Sequence, residues 1–158
     1  MKILETFFLS LPRLIIGVAM LAMVLINLAN VTGRHVFGQA VFWSEEIMVL
    51  LLVWGVFIGA ISVTFNGKHL RMDLFSAGLK RPWAQVLNAA MTVILICIAS
   101  YTIYYSYQVV SLMAATGSVS NAAKYPVVIK HSAIFVGLIL IVVAVLVRLR
   151  SYLSGKFE

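Results

Sequence analysis

Pro82 to Ala123, PWAQVLNAAMTVILICIASYTIYYSYQVVSLMAATGSVSNAA, runs for 42 residues without a charge. How often it crosses a membrane decides the fold. A helix needs about 20 apolar residues to cross the roughly 30 Å hydrocarbon core of a bilayer, so its length would allow two crossings. Its composition argues for one. Residues 83–110 are apolar and aromatic, whereas Ser111 to Ala123 are small and polar, the make-up of a loop. The run is therefore read as a single span followed by a loop.

The intervals between charges supply three more runs: Leu14 to Gly33, Ile47 to Gly67, and Pro126 to Val147, the last interrupted by Lys130 and His131 near its start. The expected architecture is an all-α integral membrane protein. It has four transmembrane helices, over about 14–33, 47–67, 83–110 and 126–147, in a single membrane domain covering 1–158. Composition agrees. The 158 residues are 63% hydrophobic and 11% charged, with a mean hydropathy of +1.06. A soluble domain holds about 45–50% apolar and about 25% charged residues. This excludes a water-soluble enzyme, a disordered regulator and a disulfide scaffold. The one cysteine, Cys97, has no internal partner and is read as a small buried hydrophobe.

A net charge of +7 would suggest nucleic acid in a soluble protein. Here the basic residues sit between apolar runs, so no nucleic-acid partner is expected. Cytoplasmic loops collect Lys and Arg. Four spans put nine basic residues on the side of the termini and three (Arg34, Lys124, Lys130) on the other, whereas five spans would give eight and four. Both termini are expected in the cytoplasm. No cleaved signal peptide is expected, because the first apolar run is too long and no small-residue cleavage site follows it. The first 13 residues, MKILETFFLSLPR, suit a short helix in the membrane interface.

The few polar residues near or within spans carry the remaining information. Asn27, Asn30 and Arg34 share a helical face and should face another helix, of this chain or of a partner subunit. Ser44 suits a helix N-cap, with Glu45 and Glu46 in the first turn where the helix dipole favours carboxylates. Trp43 suits an interfacial anchor. An ion pair between Arg34 and the glutamates is expected across the short loop. Gly55 and Gly59 allow a close helix approach. Trp83 suits a second anchor, and the basic loop around His69, Arg71 and Asp73 suits contact with membrane lipids. Tyr101, Tyr104, Tyr105 and Tyr107 read as an aromatic belt at the outer end of span 3. Three histidines leave open a haem- or quinone-binding membrane anchor of a respiratory complex, although none lies at mid-depth. No metal site, phosphate loop or nucleophile elbow is visible, so no enzyme activity and no cofactor are expected.

The run N30-V-T-G-R34-H-V-F37 … W43-S-E45-E46, the span with Gly55 and Gly59, and G67-K-H69-L-R71-M-D73 together resemble a known pattern. They look like the small four-span subunit (DctQ type) of tripartite ATP-independent periplasmic, or TRAP, transporters, collinear over roughly residues 15–150. Pro126 matches a proline before the last span, but Val127 or Val128 stands where an aromatic often follows it. The resemblance implies a multi-pass protein of the bacterial inner membrane with two partners, a large TRAP membrane subunit and a periplasmic solute-binding protein. It further implies a scaffold role in sodium-coupled import of organic anions such as C4-dicarboxylates, keto acids or sialic acid. The residues add one consistent point: the broken helices and paired repeats of a transporter's own site are missing.

The charge map makes a direct test. Alkaline phosphatase, active only outside the cytoplasm, should be active when fused after Gly38 and inactive when fused after Gly155. The reverse pattern would overturn the topology.

Overall fold

The computed structural model describes residues 6–66, 83–149 and 151. A π-helical turn, Thr6–Ser10, leads directly into α1 (Leu11–Val36); α2 (Ser44–Phe65), α3 (Trp83–Thr116) and α4 (Val128–Val147) follow. All four helices are long and apolar enough to cross a membrane. In hydrocarbon the backbone must satisfy its own polar groups, and a helix does so within one segment. Pro12 sits in the first turn of α1, where its missing N–H is not needed. The expected basic loop with His69, Arg71 and Asp73 lies outside the described residues.

The helices do not follow chain order in space. In its main contacts α2 lies against α1 and α4, and α4 also lies against α3. The order is therefore α1–α2–α4–α3, with α2 and α4 as the inner pair and α1 and α3 at the edges. Much of each helix remains open: only 6% of the most apolar stretch is buried in the first span and 28% in the fourth.

The inner pair meets at a glycine, but not at either glycine singled out from the sequence. A Cβ placed on Gly137 of α4 would fall 2.6 Å from Cβ of Phe57 on α2, a separation that real atoms do not tolerate. The missing side chain is what seats the Phe57 ring. Gly59 faces α1 instead, at an ordinary 3.5 Å from Ile16 Cδ1, and Gly55 has no such neighbour within 4 Å.

At the end that carries the termini, Phe8, Ile61, Phe65, Ile141 and Ala144 form a buried cluster. Phe8 stacks flat on Phe65 with centroids 4.9 Å apart. The Ser62 hydroxyl donates to the Phe8 carbonyl at 2.8 Å. The Arg148 guanidinium lies over the other partner, 4.5 Å from the Phe65 ring centre, a cation–π contact. From Thr6 onward, the short N-terminal helix expected over the first 13 residues is continuous with α1 rather than a separate element. The chain runs on unbroken from Thr6 into α1, so Phe8 reaches the level of Phe65 and is buried.

Two other expectations are corrected by α3. Ser111 does not begin a loop; the helix continues to Thr116. The Ser111 and Thr116 hydroxyls bond back to the Gln108 and Met113 carbonyls, so these polar residues are accommodated within the helix. Gly117, at φ +59°, then ends it as a left-handed C-cap. Cys97 is exposed rather than buried, because it lies on the face of α3 turned away from α4.

Gly137→Ala should lower stability by about 1–3 kcal/mol, the usual range for overpacking, read as a lower thermal midpoint in detergent. Gly55→Ala should change it by less than about 0.5 kcal/mol. Equal effects at the two positions would contradict the α2–α4 crossing described above.

Candidate functional site

The loops 37–43 and 117–127 lie together at the end opposite the termini. The first folds back on the helix it leaves. Gly33 O accepts from Phe37 N–H at 3.2 Å and from Gln39 N–H at 3.0 Å. A Cβ on Gly33 would come within 2.8 Å of the Gln39 carbonyl oxygen, so glycine permits the return. Gly38 turns the chain at φ +66°, a conformation that favours glycine. Val41 N–H then donates to Asn30 Oδ1 at 2.9 Å. Asn30 is buried, and this bond satisfies its amide oxygen.

Ser44 closes the same loop. Its hydroxyl donates to the Val41 carbonyl at 2.7 Å, and the side chain is fully buried. It is the first residue of α2 rather than its N-cap; Trp43 occupies the cap position with no side-chain bond. The expected capping serine thus acts as a donor to the loop, because its hydroxyl is directed back at the carbonyl three residues earlier.

The second loop is a narrow turn. Ser120 N–H donates to the Tyr125 carbonyl at 2.9 Å and Val127 N–H to the Ser118 carbonyl at 3.0 Å. Lys124 adopts the left-handed conformation at φ +56°. These constraints turn backbone N–H groups inward, forming a concave site suited to an anion.

Glu46 fills it. Its Oε2 accepts from the Ser120 hydroxyl, from Ala122 N–H at 3.1 Å and from Ala123 N–H at 2.7 Å. One carboxylate at the head of α2 therefore fastens the loop that joins α3 to α4. The expected Arg34–glutamate ion pair is replaced by this arrangement: Glu46 is engaged by the loop, and Arg34 is exposed. The three-residue face expected on α1 divides likewise. Asn30 serves its own loop, while Asn27 and Arg34 stay exposed.

Beside the latch is an open cleft of about 530 Å³ lined by Glu45, Glu46, Asn121, Tyr125 and Lys130, among others. Burial, and then the Glu46 charge, push the Tyr125 hydroxyl above the ordinary phenol range. Trp54 Nε1–H crosses from α2 to the Ile129 carbonyl at 3.1 Å and ties the head of α4 to the same assembly. Such a site can hold shape and present polar groups. Among the described residues no three His, Cys, Asp or Glu side chains gather as a metal site would require. His35 is exposed and His131 is half-buried.

Sequence reasoning placed Glu46 at the membrane edge but missed Ser120, Ala122 and Ala123. The only signal in the chain was the small, polar make-up of the second loop. The tyrosines also need correcting. Tyr107 packs on Phe135, with centroids 5.9 Å apart. Phe135 lies seven residues inside α4, about 10 Å at 1.5 Å per residue. Tyr101, Tyr104 and Tyr105 lie deeper still, so the four are not a belt at the helix end. Because α3 runs on to Thr116, they occupy its middle.

Two comparisons bear on this arrangement. The family model described as tripartite ATP-independent periplasmic transporters, DctQ component, matches residues 23–155, which include both loops and the latch. The ectoine TRAP transporter small permease protein TeaB of Halomonas elongata is 24% identical over 126 residues, 80% of this chain. The match covers 65% of that relative's own length.

Replacing Glu46 with Ala should free the second loop. Amide hydrogen exchange at Ala122 and Ala123 should become several-fold faster while the middle of α4 keeps its protection. Unchanged exchange at both amides would show that the carboxylate does not hold the loop.

Proposed function

Because this chain belongs to the DctQ component family of tripartite ATP-independent periplasmic transporters, we propose that it is the small permease subunit of a sodium-coupled importer. It acts as a fixed scaffold for a large membrane subunit that carries solute and sodium. It spans a bacterial inner membrane with both termini in the cytoplasm, and the loops 37–43 and 117–127 lie at the periplasmic face, where a solute-binding protein arrives.

The observation that carries this reading is where the chain places its polar chemistry. The acidic side chains among the described residues, Glu45 and Glu46, stand in the first turn of α2, and Glu46 fastens a loop. A chain that moved sodium itself would be expected to carry ionisable or carbonyl ligands at mid-span. The hydrogen-bonded loops and the exposed faces of α1 and α3 support a scaffold reading.

The solute belongs to the partners. Organic anions such as C4-dicarboxylates, keto acids or sialic acid fit the reading. The relative from Halomonas elongata is named for ectoine, which is consistent with one small-subunit architecture serving differing solutes.

Proteoliposomes containing both membrane subunits and supplied with binding protein should take up solute on a sodium gradient. Omitting this chain should abolish uptake. Full uptake by the large subunit alone would overturn the proposal.

A further inference from the structure

Among the described residues, the helix face with the least ordinary chemistry for a lipid-exposed surface is the outer side of α3. Tyr101, Tyr104, Tyr105 and Gln108 follow the i, i+3, i+4, i+7 pattern of one helical stripe, and all four are exposed. The packed side of the helix is marked by the buried Thr92 and Ala99. Tyr101 follows Ala99 by two residues, which at 3.6 residues per turn places the stripe on the opposite side.

Depth makes the stripe unusual. The Tyr107–Phe135 contact sets the level of neighbouring residues, so Tyr104 and Tyr105 stand in the middle third of α4's length. Tyrosine is favoured at membrane interfaces, where its hydroxyl meets water and headgroups. Acyl chains offer such a group no hydrogen-bond partner. Tyr101 and Tyr105 meet ring to ring at 4.7 Å, and Tyr104 meets Tyr105 edge-on at 5.3 Å. Tyr101 and Tyr105 share a hydrogen bond, but a phenol has one donor and two acceptor sites, so contacts within one helix still leave capacity unused, as they do the amide of Gln108.

We infer that this stripe of α3 is the surface on which the large membrane subunit docks, an inference that rests on reading the chain as a TRAP small subunit. The occupant must lie inside the bilayer and supply hydrogen-bonding groups at mid-depth. Lipid tails fail the second condition, and a water-soluble binding protein fails the first. Tyrosine is also among the side chains that dominate protein interfaces. The other edge of the molecule differs. The exposed polar side chain within the span of α1, Asn27, stands apart from the line Leu14, Val18, Leu21, Leu25 and Leu28, which is wholly aliphatic and suited to lipid.

The test is site-specific photocrosslinking in membranes co-expressing both subunits, with benzoylphenylalanine at position 104 or 108 of α3, or at position 21 or 25 of α1. The α3 positions should crosslink to the large subunit and the α1 positions should not. In parallel, Tyr101→Leu combined with Tyr105→Leu should leave the thermal midpoint of the isolated chain unchanged and reduce co-purification of the large subunit at least several-fold. Crosslinks from α1 alone, crosslinks from α3 only to a second copy of this chain, or none from α3 while the unsubstituted subunits co-purify would overturn the docking face and leave the scaffold reading standing. Failure of the unsubstituted subunits to co-purify would overturn both.

Discussion

The structure depends on how closely α2 and α4 can approach. Gly137 has no side chain where Phe57 needs room, and each remaining element leans on the pair thus formed. α1 packs on α2, α3 packs on α4, and the N-terminal turn adds Phe8 to the cluster at the pair's lower end. In a membrane there is no hydrophobic driving force between helices, so close packing and interhelical hydrogen bonds must hold them. The crossing at Gly137 supplies the first. The Trp54 bond to the Ile129 carbonyl supplies the second.

The two ends of the pair are finished differently. One end is closed by aromatic stacking and the Arg148 guanidinium over Phe65. The other is closed by polar bonds: Asn30 and Ser44 fix the first loop, and Glu46 fixes the second. Between the ends, the pair is held by the Gly137 crossing and the Trp54 bond. That division suits a subunit whose task is to hold its shape while a partner moves, since both ends of the inner pair are fastened and both edge helices keep a free face.

Much of this was legible in the residues. Charges at Arg13, Arg34, Glu46 and Arg81 bracket apolar runs of membrane-spanning length, and the polar make-up after Val110 together with the Lys/Arg distribution sets the helix count at four. The family pattern was visible because its polar residues sit close together in sequence, from Asn30 to Glu46. What stayed hidden depended on distance along the chain or on depth. Ser120 meets a carboxylate 74 residues away, and no local pattern announces such a pairing. Gly137 stands alone in an apolar run, whereas Gly55 and Gly59 form a familiar motif; the crossing used the solitary glycine because Phe57 happens to lie opposite it. The small, polar make-up of Ser111 to Ala123 reads as a loop and places the tyrosines at a helix end. Once the helix runs on to Thr116, the same residues become a mid-span stripe.

The central claim is that this chain stays fixed while the transporter around it works. Spin labels at Leu21 on α1 and Ile139 on α4, with the chain assembled with its large subunit in lipid nanodiscs, would report the distance from the edge helix α1 across α2 to α4 by pulsed electron resonance. The account predicts one distance distribution, unchanged by sodium, by solute or by loaded binding protein. A distribution that shifts or splits with any of them would contradict it.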